Sequence, residues 1–207
     1  MPTPILLSWR PFVSRLREAD KRLAPIILQV GPPRLRLQDD PFRALVSSIL
    51  SQQLAVKAAE TIIGRFRALG QSDAKSILRL KVEDMRKAGV SGQKASYLIS
   101  LSERWQDRAW RRGWAGLSND ELVARLTEVK GIGEWTAHMF LIFSLGRPDV
   151  LPTGDFGVRK GLQLLHGLPE MPHPKTLPEL VPHWRGMASV GAWYLWRALD
   201  SKLLKSG

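Results

Sequence analysis

Apolar residues recur every three to four positions over most of this 207-residue chain, which is the spacing of amphipathic helices. One such stripe runs from Phe42 to Leu50 and follows Asp40 and Pro41, which are typical of a helix cap and a first helical turn. Strand-like alternation of apolar and polar residues never extends beyond about four positions. The pattern therefore predicts an all-α fold of about ten helices joined by short loops.

Caps, glycines and prolines set the expected ends of the helices. A first helix capped by Ser8 is expected to reach Leu23, and Pro25 then starts a second one that ends at Val30. The remaining predicted helices cover residues 41–51, 55–69, 73–80, 82–88, 94–108, 119–129, 134–145, 156–165, 176–184 and 189–204. No internal repeat or flexible linker divides the chain.

Two glycines separate the predicted helices 119–129 and 134–145. Gly131 and Gly133 flank a single apolar residue, so we expect a tight hairpin in which a side chain at either glycine would be an obstruction. Amide N–H groups at the start of the second helix would point outward, where a phosphate can bind. Taken alone, such a glycine pair is more often an ordinary turn between helices.

A second distinctive segment, Pro152-Thr-Gly-Asp155, ends a loop immediately before the predicted helix 156–165. Asp155 therefore falls at a helix N-cap, and capping alone would explain it. The alternative is functional, because the helix dipole keeps a carboxylate ionised and the residue could be directed into a cleft.

Lys and Arg exceed Asp and Glu by twelve, which favours a polyanionic partner such as nucleic acid. A membrane surface would also attract this charge, but the longest apolar run, residues 139–145, is too short to span a bilayer, and the N-terminus lacks the features of a signal peptide. We therefore expect a soluble, monomeric intracellular protein without a membrane partner. It would be cytoplasmic, and associated with the nucleoid if the source is bacterial.

Metal and thiol chemistry are not indicated by the composition. The absence of cysteine excludes disulfides, thiolate zinc sites, a catalytic thiol and an iron–sulfur cluster. The four histidines show no spacing typical of metal ligands. Residues 104–114 interleave three Trp with four Arg; inward packing of the indoles is favoured there over direct contact with DNA.

Three segments together resemble the helix-hairpin-helix (HhH-GPD) DNA glycosylases, and within them the alkylpurine, or 3-methyladenine DNA glycosylase II, type. Residues 129–137 are similar to the family's hairpin, residues 151–160 to its catalytic-Asp segment, and residues 41–53 to its wedge segment. The resemblance extends over about residues 10–200. It implies two helical lobes with a DNA-binding cleft: lobe one is 42–147 with the hairpin, and lobe two is 8–41 plus 148–207 with the catalytic Asp.

The resemblance also assigns roles to individual residues. Asp155 would be catalytic, Gln53 and Leu54 would form the DNA wedge, and the base pocket would be lined by Trp135, Met139 and Trp196. The hairpin would bind phosphate through Gly131, Ile132, Gly133 and Thr136. No cofactor is required, but Na⁺ or K⁺ could bind the backbone carbonyls of Thr127, Val129 and Ile132. Without the resemblance, Trp135 and Met139 would be taken as core, and Gln52 and Gln53 as the surface end of a helix.

The implied activity is hydrolysis of the N-glycosidic bond of alkylated purines, of the 3-methyladenine and 7-methylguanine type, by base flipping in base excision repair. The partner would be double-stranded DNA with alkylated bases. AP lyase activity is not expected, because Trp135 stands where bifunctional relatives carry a Lys. Two alternatives remain: a non-catalytic hairpin DNA-binding protein, and a glycosylase of the same fold for oxidised or mismatched bases.

Two departures from the family pattern are visible. Lys130 stands where relatives often have Pro, so the start of the hairpin would be less rigid and more basic. Residues 185–188 read Arg-Gly-Met-Ala, whereas close relatives tend to have Arg-Pro-Tyr-Arg. The loop before the last helix is therefore expected to differ.

Overall fold

The chain folds into helices joined by short loops, which confirms the all-α prediction. The computed structural model describes residues 6–7, 9–38, 40–70 and 73–204. Its α-helices are α1 Arg10–Ala19, α2 Ala24–Val30, α3 Pro41–Ser51, α4 Val56–Arg67, α5 Ala74–Leu78, α6 Val82–Lys87, α7 Gly92–Gln106, α8 Arg108–Arg111, α9 Asn119–Thr127, α10 Glu134–Phe143, α11 Phe156–His166, α12 Leu177–Leu180 and α13 Ala188–Asp200. Among the described residues, no helix is both long and apolar enough to cross a membrane.

Short elements complete the fold. Single 3₁₀ turns lie at Trp114–Gly116, Pro174–Thr176 and Pro182–Trp184, so the predicted helix 176–184 is in fact a short α-helix between two such turns. Two strands of two residues each, β1 Leu6–Leu7 and β2 Leu35–Arg36, pair antiparallel. The hydrophobic pattern gave no sign of this pair, because two residues are too few to show alternation.

The start of α3 illustrates how local sequence defines a helix. The Asp40 carboxylate accepts hydrogen bonds from the backbone N–H groups of Phe42 and Arg43, at 3.0 and 3.1 Å, and Pro41 occupies the first turn. The predicted apolar stripe is buried and comprises Phe42, Leu45, Val46, Ile49 and Leu50. Both the cap and the buried face were correctly predicted.

The first predicted helix was wrong at its C-terminal end. It ends at Ala19 rather than Leu23, because the Asp20 side chain accepts from the backbone N–H groups of Arg22 and Leu23, both at 3.0 Å. A local side-chain bond of this kind competes with helix continuation. The predicted cap Ser8 lies outside the described residues.

The structure divides the chain into two units. The continuous unit is Asp40–Phe140, and the discontinuous unit joins the part before Asp40 to the part from Leu141 onward. The sequence placed the lobe boundaries at 41/42 and 147/148. The hairpin and wedge segments belong to the continuous unit, whereas Asp155 and Trp196 belong to the discontinuous unit.

An aromatic cluster fills part of the continuous unit. Its members are Phe42, Trp105, Trp110, Trp114 and Phe140, with neighbouring ring centroids 5.0 to 6.1 Å apart. The guanidinium groups of Arg104 and Arg111 lie over the rings of Trp110 and Trp105, at 5.5 and 5.2 Å. The Trp/Arg segment therefore packs inward, as predicted.

The discontinuous unit is joined by bonds between residues far apart in the chain. The Tyr194 hydroxyl donates to Gly31 O at 2.9 Å, and burial raises the pKa of Tyr194 to about 12. The Asp20 carboxylate accepts from Trp184 Nε1 at 2.8 Å and lies 3.1 Å from His183 Nε2. Burial would raise the pKa of Asp20, but its hydrogen bonds outweigh burial and lower that pKa below 3.8. Hydrogen bonds thus join the ends of the two N-terminal helices to residues 184–194.

Candidate DNA-binding hairpin and carboxylate site

The hairpin between α9 and α10 depends on Gly131. Its φ is +92°, and a Cβ there would overlap the side chain of Tyr97 from α7. Gly133 differs, because its φ is not in the left-handed region and a Cβ would meet nothing within 4 Å. The expectation that a side chain at either glycine would obstruct the turn is therefore wrong for Gly133. The backbone at Gly133 therefore faces open space.

The other two predicted hairpin residues are largely buried. Ile132 is 3% exposed and its N–H donates to Val129 O at 3.0 Å. Thr136 is 4% exposed, with its hydroxyl 3.5 Å from the side-chain nitrogen of Gln52. Both side chains therefore hold the hairpin in shape. Outward-facing amides at the start of α10, where a helix lacks internal acceptors, are the groups suited to a phosphate.

The predicted wedge lies on a loop with an unusual backbone. Gln53 has a φ of +55°, which is uncommon for a residue with a side chain. Gln53 and Leu54 are exposed, the latter by 37%. The side chain of Gln52, by contrast, contacts the hairpin, and its Nε2 donates to Gly131 O at 2.8 Å. The sequence interpretation that Gln52 only ends a surface helix is wrong, whereas Gln53 and Leu54 have the exposure that a wedge needs.

A pocket of about 360 Å³ brings the predicted wedge and two predicted base-pocket residues together in the continuous unit. It is lined by Ser48, Ser51, Gln52, Gln53, Leu54, Trp135, Thr136 and Met139. Trp135 is 48% exposed, which rules out the interpretation that it is simply a core residue. An exposed indole beside a flexible thioether offers a flat, polarisable surface to an aromatic ligand.

Asp155 is both a helix cap and part of a side-chain pair. Its Oδ1 accepts from the backbone N–H of Val158 at the start of α11, and also from Trp196 Nε1, each at 2.8 Å. Asp155 as a whole residue is 9% exposed. Trp196, which the resemblance predicts to line the base pocket, fixes the orientation of the carboxylate through this hydrogen bond. Its ring lies 5.6 Å from that of Phe143, tilted by 31°.

Sequence reasoning missed Gly157 and Phe156. A Cβ on Gly157 would lie 2.8 Å from Trp196 Cδ1 and 3.2 Å from Asp155 Oδ1, so the absence of a side chain admits the indole. Glycine lowers the stability of a helix, so its presence in the first turn of α11 was the sequence signal that could have pointed to Gly157. Phe156, the residue after Asp155 in the sequence, is 68% exposed, although its residue type predicts burial.

The loop at residues 185–188, which departs from the family pattern, leads into a hydrogen-bonded start of α13. Gly186 has a φ of +84° and Met187 is 3% exposed. The next residue but one, Ser189, is buried; its hydroxyl accepts from Val150 N–H at 2.9 Å and donates to Arg147 O at 2.7 Å. These bonds tie the start of α13 to the segment that leads to the Pro-Thr-Gly-Asp loop.

The described residues contain no group of three or more His, Cys, Asp or Glu side chains suited to a metal ion. The predicted monovalent cation would use backbone oxygens instead. Thr127 is the last residue of α9, at the negative end of the helix dipole, and Val129 O accepts one N–H while retaining a second lone pair. These oxygens are chemically suited to Na⁺ or K⁺.

The chain was compared with models of known protein families and with known proteins. The model of the HhH-GPD superfamily base excision DNA repair proteins matches residues 46–185. DNA-3-methyladenine glycosylase 1 of Schizosaccharomyces pombe is 36% identical over 196 residues, which cover 89% of this chain and 84% of that protein. The chain belongs to the HhH-GPD superfamily of base excision DNA repair proteins, as the sequence resemblance indicated.

Two solved structures support the same assignment. DNA-3-methyladenine glycosidase of Bacillus halodurans superposes with a TM-score of 0.83 at 35% identity, covering 93% of this chain and 91% of that one. The Schizosaccharomyces pombe 3-methyladenine DNA glycosylase Mag1, solved in complex with abasic DNA, gives 0.78 at 33% identity, covering 92% and 97%. Most of each relative's chain is therefore represented here.

Proposed function

We propose that this protein is a monofunctional DNA glycosylase that releases alkylated purines, of the 3-methyladenine and 7-methylguanine type, from double-stranded DNA in base excision repair. The observation that carries the proposal is the Asp155 carboxylate, held by a helix-terminal N–H and an indole N–H in a chain of this family. The names of its relatives support the substrate class.

The continuous unit supplies the groups for binding and flipping. A base inside a duplex is inaccessible, so the nucleotide must leave the stack at a cost of a few kcal/mol. The exposed side chains of Gln53 and Leu54 are suited to fill the space that it leaves. A purine alkylated on a ring nitrogen is cationic, and the exposed face of Trp135 can attract it by stacking and a cation–π interaction worth about 0.5–2 kcal/mol.

The discontinuous unit supplies the carboxylate. Cleavage of the glycosidic bond passes through an oxocarbenium-like state, and Asp155 would stabilise its positive charge or activate the water that captures it. A cationic purine leaves as a neutral molecule, so no general acid is needed. A single carboxylate held in one orientation by Val158 and Trp196 is therefore sufficient.

The cation, if bound, would be held by the carbonyls of Thr127, Val129 and Ile132 and would add positive charge near a DNA phosphate. The protein itself contributes the backbone of the hairpin, in which Gly131 packs directly against the Tyr97 ring.

Absence of AP lyase activity forms part of the proposal. An indole nitrogen is not a usable nucleophile, so Trp135 would not form a Schiff base with the deoxyribose. Borohydride trapping should yield no covalent enzyme–DNA adduct, and the product strand should remain intact until alkali is added. An adduct at the yield of a known lyase would disprove the monofunctional assignment.

Substitution of the carboxylate tests the central claim. Asp155→Asn should abolish base release from a duplex with one alkylated purine while changing duplex affinity only a fewfold, because phosphate contacts dominate binding. A parallel duplex series with oxidised, mismatched or deaminated bases distinguishes the same-fold alternative. Full activity of Asp155→Asn would remove the residue from catalysis, and a wild-type protein that binds without releasing any base would support a non-catalytic DNA-binding protein.

A further inference from the structure

A single side chain joins the end of α3 to the hairpin. Gln52 follows the last residue of α3, and its Nε2 donates to Gly131 O at 2.8 Å, across 79 positions of sequence. The same nitrogen lies 3.5 Å from the Thr136 hydroxyl, in the first part of α10. The hairpin's glycine turn and the following helix are thus both within reach of one amide.

The main chain of Gln52 is held separately. Lys94 Nζ, from α7, donates to Leu50 O at 2.7 Å and to Gln52 O at 2.8 Å. A cation at these carbonyls is favourable because the C-terminus of a helix carries partial negative charge. Gln52 is therefore fixed at its carbonyl by α7 and at its side chain by the hairpin.

The next residue shows why this double anchoring matters. Gln53 has a φ of +55°, a conformation that is strained for a residue with a side chain and that persists only where the surroundings impose it. The turn is closed by the backbone N–H of Leu54, which donates to Ser51 O at 3.2 Å, while the side chains of Gln53 and Leu54 are exposed. The two central residues of this turn are Gln52 and Gln53, so the bonds that fix Gln52 help to impose the backbone conformation of Gln53.

We propose that Gln52 is a positioning residue that holds the wedge, Gln53 and Leu54, in a fixed relation to the phosphate-binding hairpin. Binding of a phosphate by the hairpin then places the wedge where it must enter the duplex, without a separate ordering step. The inference rests on the proposed function, because it assigns a purpose to the wedge. Gln52 also lines the pocket beside Trp135, and a direct contact with the base would affect release from duplex and single-stranded DNA alike, whereas positioning of the wedge affects only the duplex.

The first test compares duplex and single-stranded substrates that carry the same alkylated purine. Gln52→Met keeps the length of the side chain and removes the amide. Its single-turnover base release from the duplex should fall about tenfold, the effect of one hydrogen bond worth about 1.4 kcal/mol. Release from the single strand, which has no vacated stack to fill, should be unchanged. Equal loss on both substrates, or no loss on the duplex, would overturn the proposal.

A matched control is available in the discontinuous unit. Gln163 Nε2 also donates to a backbone oxygen, Pro169 O at 3.3 Å, far from the wedge in the sequence. Gln163→Met should leave the ratio of duplex to single-strand rates at the wild-type value. If the control lowers that ratio as much as Gln52→Met does, the effect is not specific to the wedge and the proposal fails.

A second readout does not require turnover. In a duplex with 2-aminopurine opposite an abasic-site analogue, wedge insertion should raise 2-aminopurine emission for the wild type. Gln52→Met should reduce this change while fluorescence anisotropy shows duplex affinity within a fewfold of wild type. Lys94→Met, which removes the other anchor, should act in the same direction if Gln52→Met folds poorly. Unchanged emission in the folded variants would overturn the proposal, whereas absent base release by the wild type would overturn only the proposed function.

Discussion

Replacing Gly157 by Ala would test whether the indole N–H of Trp196 contributes to catalysis through Asp155. The added Cβ would lie 2.8 Å from Trp196 Cδ1 and 3.1 Å from Nε1, whereas optimal contacts between heavy atoms are about 3.5–4.0 Å. It would also lie 3.2 Å from Asp155 Oδ1. The indole must therefore move away, and its 2.8 Å hydrogen bond to the carboxylate would be lost.

The expected magnitude follows from two opposing effects. Ala is more favourable than Gly in a helix by about 1 kcal/mol, which offsets part of the cost of moving the ring. A hydrogen bond to a charged group is worth about 1.5–3 kcal/mol. If the carboxylate needs that bond to stay oriented, the rate of base release should fall about ten- to a hundredfold while the free energy of unfolding changes little.

Single-turnover release of an alkylated purine from a duplex measures the rate, and urea unfolding measures the stability. Gly161→Ala is the matched control, because it lies on the same helix and its Cβ would meet Leu195 Cβ at 2.9 Å. That change should lower stability by about 1–3 kcal/mol with little effect on the rate constant of folded enzyme. A wild-type rate in Gly157→Ala would refute the role assigned to the Trp196 bond.

Three further outcomes are expected. Gly131→Ala should weaken duplex binding on all sequences alike, because the new Cβ overlaps Tyr97 and the backbone is left-handed there; a sequence-dependent loss, measured by anisotropy, would argue against phosphate binding. Asp20→Asn should lower the free energy of unfolding by about 2 kcal/mol near neutral pH. Since the pKa of Asp20 is lowered on folding, its contribution is complete above the unfolded value near 3.8 and is lost as pH falls through the folded value, so urea unfolding of wild type and variant should converge in acid. Binding to undamaged duplex should weaken steeply with salt, as expected for a net charge of +12; a flat salt dependence would contradict a phosphate-dominated contact.

The features that the sequence predicted well are local ones. Asp40 with Pro41, and Asp155 before Phe156, define helix starts within three or four residues, so residue type and order were sufficient. The hairpin was likewise visible from two glycines, although only Gly131 proved to be constrained by packing.

The features that could not be predicted depend on residues that meet only in the folded chain. The bond from Trp196 to Asp155 spans 41 positions, and that from Gln52 to Gly131 spans 79. Helical periodicity gives the face on which a side chain lies but not the group it meets. At Asp20, a local side-chain bond ends the first helix, and the periodic apolar pattern gives no sign of such a bond.

The order of the chain has a consequence for synthesis on the ribosome. Residues 40–140 form the continuous unit, so a nascent chain contains all of it before the polymerisation of residues 184–194. The first two helices, by contrast, must wait for those later residues, because Asp20 bonds to Trp184 and Gly31 to Tyr194, 163 or more positions away. These two helices are therefore synthesised well before the residues that complete their hydrogen bonds, and their tertiary contacts form only after the chain has reached Tyr194.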